Sequence, residues 1–419
     1  MEIKSAIEDN LKYQKRNKKN LFTKPSIFNV IEQFISKKKL ICYGGTAINK
    51  HLPNNKKIYE YIDIPDYDCY SSNSISMIKQ LADILSLYSE NVEVKSAMFK
   101  GTYKIFINFI PIVDITQMDI NIFKNLQNKS INIDNILYAP PNFLKISLYQ
   151  ELSRPLGDIS RWEKIYERLE LLNDAHPLYI QNAVIIENNT PDNKDYITIN
   201  NSIIKYIKQN NWVVFGEFGL QFYIKYFPKK FINLNSEQKI KTPYILTDNI
   251  DNVLKILDFK YTINEYSYKI VNDFYQILYK GYPVLYVFIT NSCQSYNTHN
   301  GFNIASIDTI LSIYYALSFI DIPFVNKQII LSYCYLLHNI KHKNDICKRF
   351  HMPCIGTQET YEQIRKMRDT QYRIYKKTGS EKLFKEYFFR YKPHTRNKHT
   401  KTKKINYSKK YSLINLKKY

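Results

Sequence analysis

The chain lacks the long apolar run that crossing a bilayer requires. Its most apolar long window, residues 305–325, contains Asp308 and Asp321, and carboxylates at that depth are costly in lipid. The window therefore reads as a buried helix, and no membrane partner is expected. The opening residues 1–20 are charged and contain no apolar core, so no secretory signal is expected. Cysteine is sparse: six residues, irregularly spaced, with no Cys-x-x-Cys pair. That argues for reduced thiols in a cytosolic setting and against structural zinc. Cys334, His338 and His342 recur every four residues on one helix face, with Cys347, His351 and Cys354 beyond, but core thiols and solvated histidines are the default reading. Acids are also in short supply, 38 Asp+Glu against 60 Lys+Arg, for a net charge of +22. A globular chain this basic usually has a polyanionic partner. The charge is uneven, since residues 341–419 carry 23 Lys+Arg and six acids, +17 of the +22.

Aromatics, by contrast, are plentiful: 37 Tyr and 23 Phe, many set among the lysines. Rings stack on unpaired bases while cations meet phosphates, which is what binding a single strand needs. An A+T-rich gene would also raise Lys, Asn, Ile and Tyr, and the two causes are compatible.

One constellation organises the rest. The apolar run Leu40-Ile41-Cys42-Tyr43 ends at Gly44-Gly45, and Thr46-Ala47-Ile48-Asn49 reads as the first turn of a helix. A glycine turn entering a helix offers free N–H groups and a positive dipole end, a seat for phosphate. Asp66 and Asp68 flank Tyr67, so on a strand both carboxylates point to one face. Asp114 lies in a second apolar strand, Ile110-Pro111-Ile112-Val113-Asp114-Ile115-Thr116. A solvated edge would not interleave its acids with Ile, Val and Tyr. A plain core strand would not bury three unpaired carboxylates, because each costs several kcal/mol to desolvate. Three such acids beside a phosphate seat can hold two divalent cations, the equipment for in-line displacement at a nucleoside triphosphate.

The order Gly-Gly, Asp-x-Asp, then a lone Asp on a neighbouring strand resembles the DNA polymerase beta-like nucleotidyltransferases. More narrowly, Asp66-Tyr67-Asp68-Cys69, Val113-Asp114-Ile115 and the segment from Asp158 through Arg161-Trp162-Glu163-Lys164 to Leu169 resemble the poly(A) polymerase catalytic subunits of large cytoplasmic DNA viruses. The twenty residues between Gly45 and Asp66 are a longer linker than in most of that superfamily. The resemblance implies an α+β nucleotidyltransferase domain followed by a second, degenerate nucleotidyltransferase-like domain, and template-independent addition of AMP from ATP to mRNA 3′ ends. It implies catalytic and metal-holding roles for Asp66, Asp68 and Asp114, with two Mg²⁺ (or Mn²⁺) ions per site. ATP is expected with its phosphates at Gly44, Gly45 and Thr46. It further implies an RNA 3′ end as partner, a homodimer or a viral processivity subunit, and a location in the virion and the host cytoplasm. Adenine preference follows from the resemblance alone. Two alternatives stay open: a uridylyl- or CCA-adding enzyme, and a non-catalytic RNA-binding virion protein.

Along the chain, residues 1–38 read as a basic helical cap whose apolar face holds Phe22, Ile27, Val30, Ile31 and Phe34. Residues 39–190 read as the catalytic domain. Within it Arg154, Arg161 and Lys164 are candidate nucleotide-binding cations, and 161, 164 and 168 share a helix face. Pairing with Glu163, Glu167 and Glu170 is the competing reading. Residues 191–340 read as a second copy without metal ligands. Trp212-Val213-Val214-Phe215-Gly216 echoes the strand and turn, residues 242–248 stand where Asp66 and Asp68 would be, and Val287-Phe288-Ile289 echoes Val113-Asp114-Ile115. Residues 341–419 read as a basic, partly helical region ending in a tail, 391–419, with ten basic and no acidic residues, expected to order on RNA.

Overall fold

The computed structural model describes residues 2–20, 27–59, 63, 65–179, 194–228, 242–268, 270–290, 292–340 and 348–393. Phe22, His342, Cys347 and the expected tail beyond residue 393 lie outside them.

Two helices, α1 (Glu2–Asn20) and α2 (Ile27–Lys38), precede the first sheet. Its seven strands are β1 (Ile41–Tyr43), β2 (Tyr67–Ser71), β3 (Val92–Ser96), β4 (Thr102–Ile107), β5 (Ile110–Gln117), β6 (Ile131–Ile133) and β7 (Ile136–Tyr138). They lie in the order β3-β4-β5-β2-β1-β7-β6. Alternation decides the faces. In β2 the side chains of Tyr67, Cys69 and Ser71 are buried while Asp68 and Tyr70 face the other way, partly open. The closed face is sealed by Ile31, Phe34 and Ile35 of α2 and by Ile78, Leu81, Ala82 and Leu85 of α4 (Ser74–Leu85). The helices α3 (Gly44–His51), α6 (Pro141–Leu152) and α7 (Trp162–Ala175) pack together and frame the site. A further helix, α5 (Ile120–Lys129), is capped by the Asp119 side chain.

The second half repeats this plan. Strands β8 (Val213–Phe215), β9 (Tyr244–Thr247), β10 (Thr262–Tyr266), β11 (Phe274–Tyr279), β12 (Tyr282–Ile289), β13 (Gln294–His299) and β14 (Phe302–Ala305) lie in the order β10-β11-β12-β9-β8-β14-β13. Each strand is the seventh after its counterpart. The senses agree as well: β1/β2 and β8/β9 antiparallel, β2/β5 and β9/β12 parallel, β1/β7 and β8/β14 parallel. The helices of this half are α8 (Lys194–Gln209), α9 (Gly216–Leu220), α10 (Ile250–Leu254), α11 (Ile307–Leu317) and α12 (Lys327–His338). All of α11 is buried, as a helix reading of that apolar window requires. It packs on α6, with the Tyr149 and Tyr315 rings stacked 5.8 Å apart.

The register corrects one sequence reading. Asp68 pairs across to Tyr43 and Asp114; in the second sheet Tyr244 pairs to Phe215 and Tyr286. The counterpart of Asp114 is therefore Tyr286, not Phe288. A slip of two residues keeps the same strand face, so an apolar pattern alone cannot detect it.

The C-terminal part is a belt across both sheets. Strand β15 (Cys354–Ile355) adds to β13, helix α13 (Tyr361–Thr378) follows, and β16 (Arg390–Tyr391) adds to β3. Cys293 and Cys354 form a disulfide, against the expectation of thiols throughout; Cys42, Cys69 and Cys334 are free and buried. Folding of the belt onto β13 brings Cys293 and Cys354 together, although 61 positions separate them. Where the belt crosses the junction of the halves, Arg349 makes a two-pronged ion pair with Asp308 at the start of α11. Asp308 is 1% exposed.

Candidate active site

The phosphate turn is built as its sequence demands. Tyr43 is extended, and Gly44 follows at φ +69°, a left-handed conformation that favours glycine. A Cβ on Gly44 would collide with Asp68 Oδ2, and one on Gly45 would collide with the Tyr59 hydroxyl and stand 3.2 Å from Arg168 Nη1. The two glycines thus let an acid and a cation approach one helix N-terminus. Thr46 Oγ1 donates to the backbone carbonyl of Asp66 at 2.6 Å, tying the turn to the start of β2.

Asp68 and Asp114 are direct neighbours on parallel strands, and Asp66 precedes β2 by one residue. Burial, then Asp66, then Asp114, push the Asp68 carboxyl up to about 7, against Lys104 and Arg168, which pull it down. Burial likewise raises Asp66 and Asp114, with Lys104 opposing in both. Asp66, unlike Asp68 and Asp114, is an exposed residue. The Lys104 ammonium is paired with Asp114 Oδ2, while Asp114 Oδ1 is buried without a hydrogen-bond partner. Among the described residues no group of three or more His, Cys, Asp and Glu side chains is drawn together as a closed set of cation ligands. Asp68 and Asp114 are neighbours, and Lys104 pairs with Asp114. Even so, their chemistry fits hard divalent cations: oxygen donors, one orphaned buried carboxylate oxygen, and a glycine turn that leaves room beside Asp68.

Of the candidate cations, Arg161 reaches Glu151 at 3.6 Å and not the glutamates of its own helix. Glu170 instead lies 3.9 Å from Arg349. Lys164 is held below its ordinary value, first by Arg168 and then by burial and Arg161. Arg154 turns to the second half, where its Nη2 donates to Ser292 Oγ at 3.0 Å; its Nε is buried and unpaired. Arg154, Arg161 and Arg168 all act electrostatically on Glu151, whose carboxyl is nonetheless raised by burial. Besides Lys104, which is paired with Asp114, the cation that acts on Asp68 is Arg168. It donates to the Tyr59 hydroxyl at 3.0 Å and packs over that ring. Lys104 and Tyr59 had no sequence signal of their own, whereas Arg168 could be found from its i, i+7 spacing to Arg161.

In the second half the same positions are aromatic. Gly216 keeps φ +67°, but Tyr244 replaces Asp68, Tyr286 replaces Asp114, and Gln276 replaces Lys104 across the strand pair. Gln276 Nε2 donates to the Tyr286 hydroxyl at 3.0 Å. No carboxylate stands at these positions, and the Gln276 amide oxygen is taken up by Asn264, which donates to it at 2.9 Å.

Comparison with known proteins agrees with this geometry. Residues 29–158 match the family model described as poly(A) polymerase catalytic subunit. A protein of Acanthamoeba polyphaga mimivirus is 34% identical over 163 residues, 38% of this chain and 28% of that protein. A protein of African swine fever virus is 27% identical over 175 residues, 40% of this chain and 36% of that protein. Both are named as candidate poly(A) polymerase catalytic subunits. The match thus spans about a third of the length of these curated relatives. The crystal structure of the Megavirus polyadenylate synthase superposes with a TM-score of 0.75 at 23% identity, covering 93% of this chain and 85% of that one. The chain therefore has the α+β nucleotidyltransferase fold of that enzyme, over nearly all of its length.

Proposed function

We propose that the chain is a template-independent poly(A) polymerase, transferring AMP from ATP to the 3′ hydroxyl of RNA. The observation that carries this is the crowding of Asp66, Asp68 and Asp114 against the Gly44 turn, with the Asp68 carboxyl near neutrality and an orphaned oxygen on Asp114. Such an arrangement costs stability and is repaid only by a cationic ligand. Asp66 and Asp68 would hold both divalent cations and Asp114 one of them. Bound there, Mg²⁺ or Mn²⁺ supplies Lewis-acid stabilisation of charge on the attacking and leaving oxygens. The chain's own groups do the rest. The N–H groups of Gly44, Gly45 and Thr46 receive the triphosphate at the head of α3. Arg168, fixed on Tyr59, neutralises it from the side, with Lys164 and Arg161 further along α7. Lys104 keeps Asp114 oriented until a cation displaces it.

The belt and its basic continuation support an RNA partner, and the naming of the relatives as catalytic subunits supports assembly, either as a homodimer or with a viral processivity subunit. The viral sources of those relatives support a virus-infected cell as the setting, with the virion and the host cytoplasm as its compartments. The test is primer extension with each labelled nucleotide in turn. ATP incorporation into a growing tail is expected, and Asp66→Ala, Asp68→Ala and Asp114→Ala should each abolish it while the protein stays folded. Activity at the wild-type level in any of the three ends the reading. Preferential use of UTP, or of CTP then ATP in a fixed triplet, reassigns the chain to a uridylyl- or CCA-adding enzyme.

A further inference from the structure

Two cavities lie in series along α13, on the belt and away from the acids. The first, about 460 Å³, is lined by the apolar and aromatic side chains of Phe99, Tyr361 and Ile364 and by a mixed set of charges, Arg154 and Arg161 with Glu151, Asp158 and Glu359. The second, about 480 Å³, lies further along the same helix, between Arg368, Tyr372 and Tyr375 and the segment holding Tyr387, Phe388 and Arg390. Residues 361, 364, 368, 372 and 375 follow helical spacing, so both cavities open on one side of α13. Arg368 lines the second cavity. Its guanidinium donates to the carbonyls of Ala97, Met98 and Tyr387, which pins α13 to the first half.

Several observations select the ligand. Phe99, Tyr361 and Tyr372 are exposed rings at the cavity mouths, where a purely structural aromatic would be covered. Residues 348–393 carry twelve Lys+Arg and five acids, so the surroundings favour an anion. The first cavity joins the cation face of α7: Arg161 lines it, and Arg168 beside the phosphate turn is seven residues further on, about 10 Å along the helix. From the first cavity to the second is a similar distance, about 13 Å along α13. Aromatic walls at intervals of a few nucleotides from a nucleotidyl-transfer centre, in a region of net positive charge, suit unpaired bases of a strand whose backbone runs outside the cavities.

We propose that these two cavities receive bases of the RNA upstream of its 3′ end, so that α13 and the belt form the track along which single-stranded RNA leaves the acids. The proposal rests on the poly(A) polymerase reading for the direction of the strand. It adds a site to that reading: the rings of the belt lie outside the residues that bind the nucleotide, and the first cavity shares only Arg154 and Arg161 with the candidate nucleotide-binding cations. A track of this length predicts a footprint of about five to eight nucleotides, within the range of single-strand sites.

The test is equilibrium binding of fluorescent oligo(A), three to fifteen nucleotides long, to the full chain without ATP. Wild-type affinity should rise with length and level off at about five to eight nucleotides. In the pair Tyr372→Ala and Tyr375→Ala the rise should stop at shorter oligomers, with about tenfold weaker binding of the long ones. Because those rings also pack on Phe388, a second measurement uses the unaltered protein. Photoactivatable uridine placed at successive positions from the 3′ end should crosslink to peptides containing Phe99 or Tyr361, and then Tyr372 or Tyr375, in that order of distance. Identical length profiles in wild type and variant, or crosslinks that avoid α13 altogether, overturn the track. So does a change in oligomeric state with no change in RNA affinity, which would make the belt a protein interface. Neither readout needs catalysis. AMP addition without these signatures sinks the track alone, and the signatures without AMP addition sink the polymerase reading alone.

Discussion

Replacing Asp68 by Asn should stabilise the cation-free protein at alkaline pH. The Asp68 carboxyl rises from the ordinary carboxylate range to about 7 on folding, chiefly through burial and the neighbouring Asp66 and Asp114. That is roughly three pH units, and at about 1.4 kcal/mol each the ceiling is about 4 kcal/mol. The side chain is half-buried, and the strain is shared with two other acids and opposed by Lys104 and Arg168, so about 2 kcal/mol is the expected share of the mutation. The sign follows from linkage. Between the unfolded value near 4 and the folded value near 7, the folded chain holds a proton that the unfolded chain has released. Stability from this group is full below about pH 4 and is lost as pH rises through 7. Asn carries no such proton, so Asp68→Asn should show a flatter profile. Urea unfolding in chelator at pH 5 and pH 8 measures it, with Trp162 in the first half and Trp212 in the second as separate reporters. Adding Mg²⁺ at pH 8 should stabilise wild type and do less for the variant. A variant that is no more stable than wild type at pH 8, with the same pH slope, refutes the claim that these acids are crowded at the expense of the fold.

Gly44→Ala forces an L residue to φ +69° and drives its Cβ into Asp68. It should destabilise the first half by at least about 1–2 kcal/mol and lower kcat/KM on the order of a hundredfold by shifting the carboxylate, as unfolding and primer extension together would show. Asp308→Asn removes the buried carboxylate that the Arg349 guanidinium grips with two nitrogens, leaving only the more distant Glu170 at 3.9 Å. It should cost about 3–5 kcal/mol in urea unfolding and loosen the belt, read as faster proteolysis between residues 340 and 360.

The parts of the site that were legible in the sequence are those fixed by local geometry. Gly44-Gly45 after an apolar strand, and Asp66 two positions from Asp68, declare a turn and a shared face without reference to the rest of the chain. Lys104 was not legible, and the reason can be traced. The hairpin turn is Asn108-Phe109, both at positive φ, so counting outward pairs Ile107 with Ile110 and would set Lys104 against Val113. A register shift between Ile105 and Phe106 moves it by one residue, onto Asp114. A bulge of this kind changes which face a side chain meets, and it leaves no mark in an alternating pattern. The belt was illegible for another reason. Its strands β15 and β16 are two residues each, too short for periodicity, and both find their places only after the two sheets exist. Reading residues 341–419 as a basic, partly helical region caught its charge and the helix α13 but not its attachment to the two sheets.

The duplicated half suggests how the cost of the site is met. Its hairpin shifts register at the corresponding point, between Ile277 and Leu278, so the copy extends to an irregularity of the backbone. What differs is the chemistry at the acid positions. Tyr244 and Tyr286 sit 4.4 Å apart by ring centroid, Phe274 and Phe288 4.6 Å, and Phe215 closes on Phe288 at 4.9 Å. Where the first half sets carboxylates against one another, the second fills the same place with rings that attract, each pair worth about 0.5–1.5 kcal/mol beyond its burial. A sheet that must keep mutually repelling acids is a poor source of stability. Packed through α6 on α11, it leans on a sheet that has given up those acids and kept the frame. On this argument the second half is retained because it carries the stability that the first half's chemistry gives away, and the buried Tyr149–Tyr315 contact between them is where that support is transmitted.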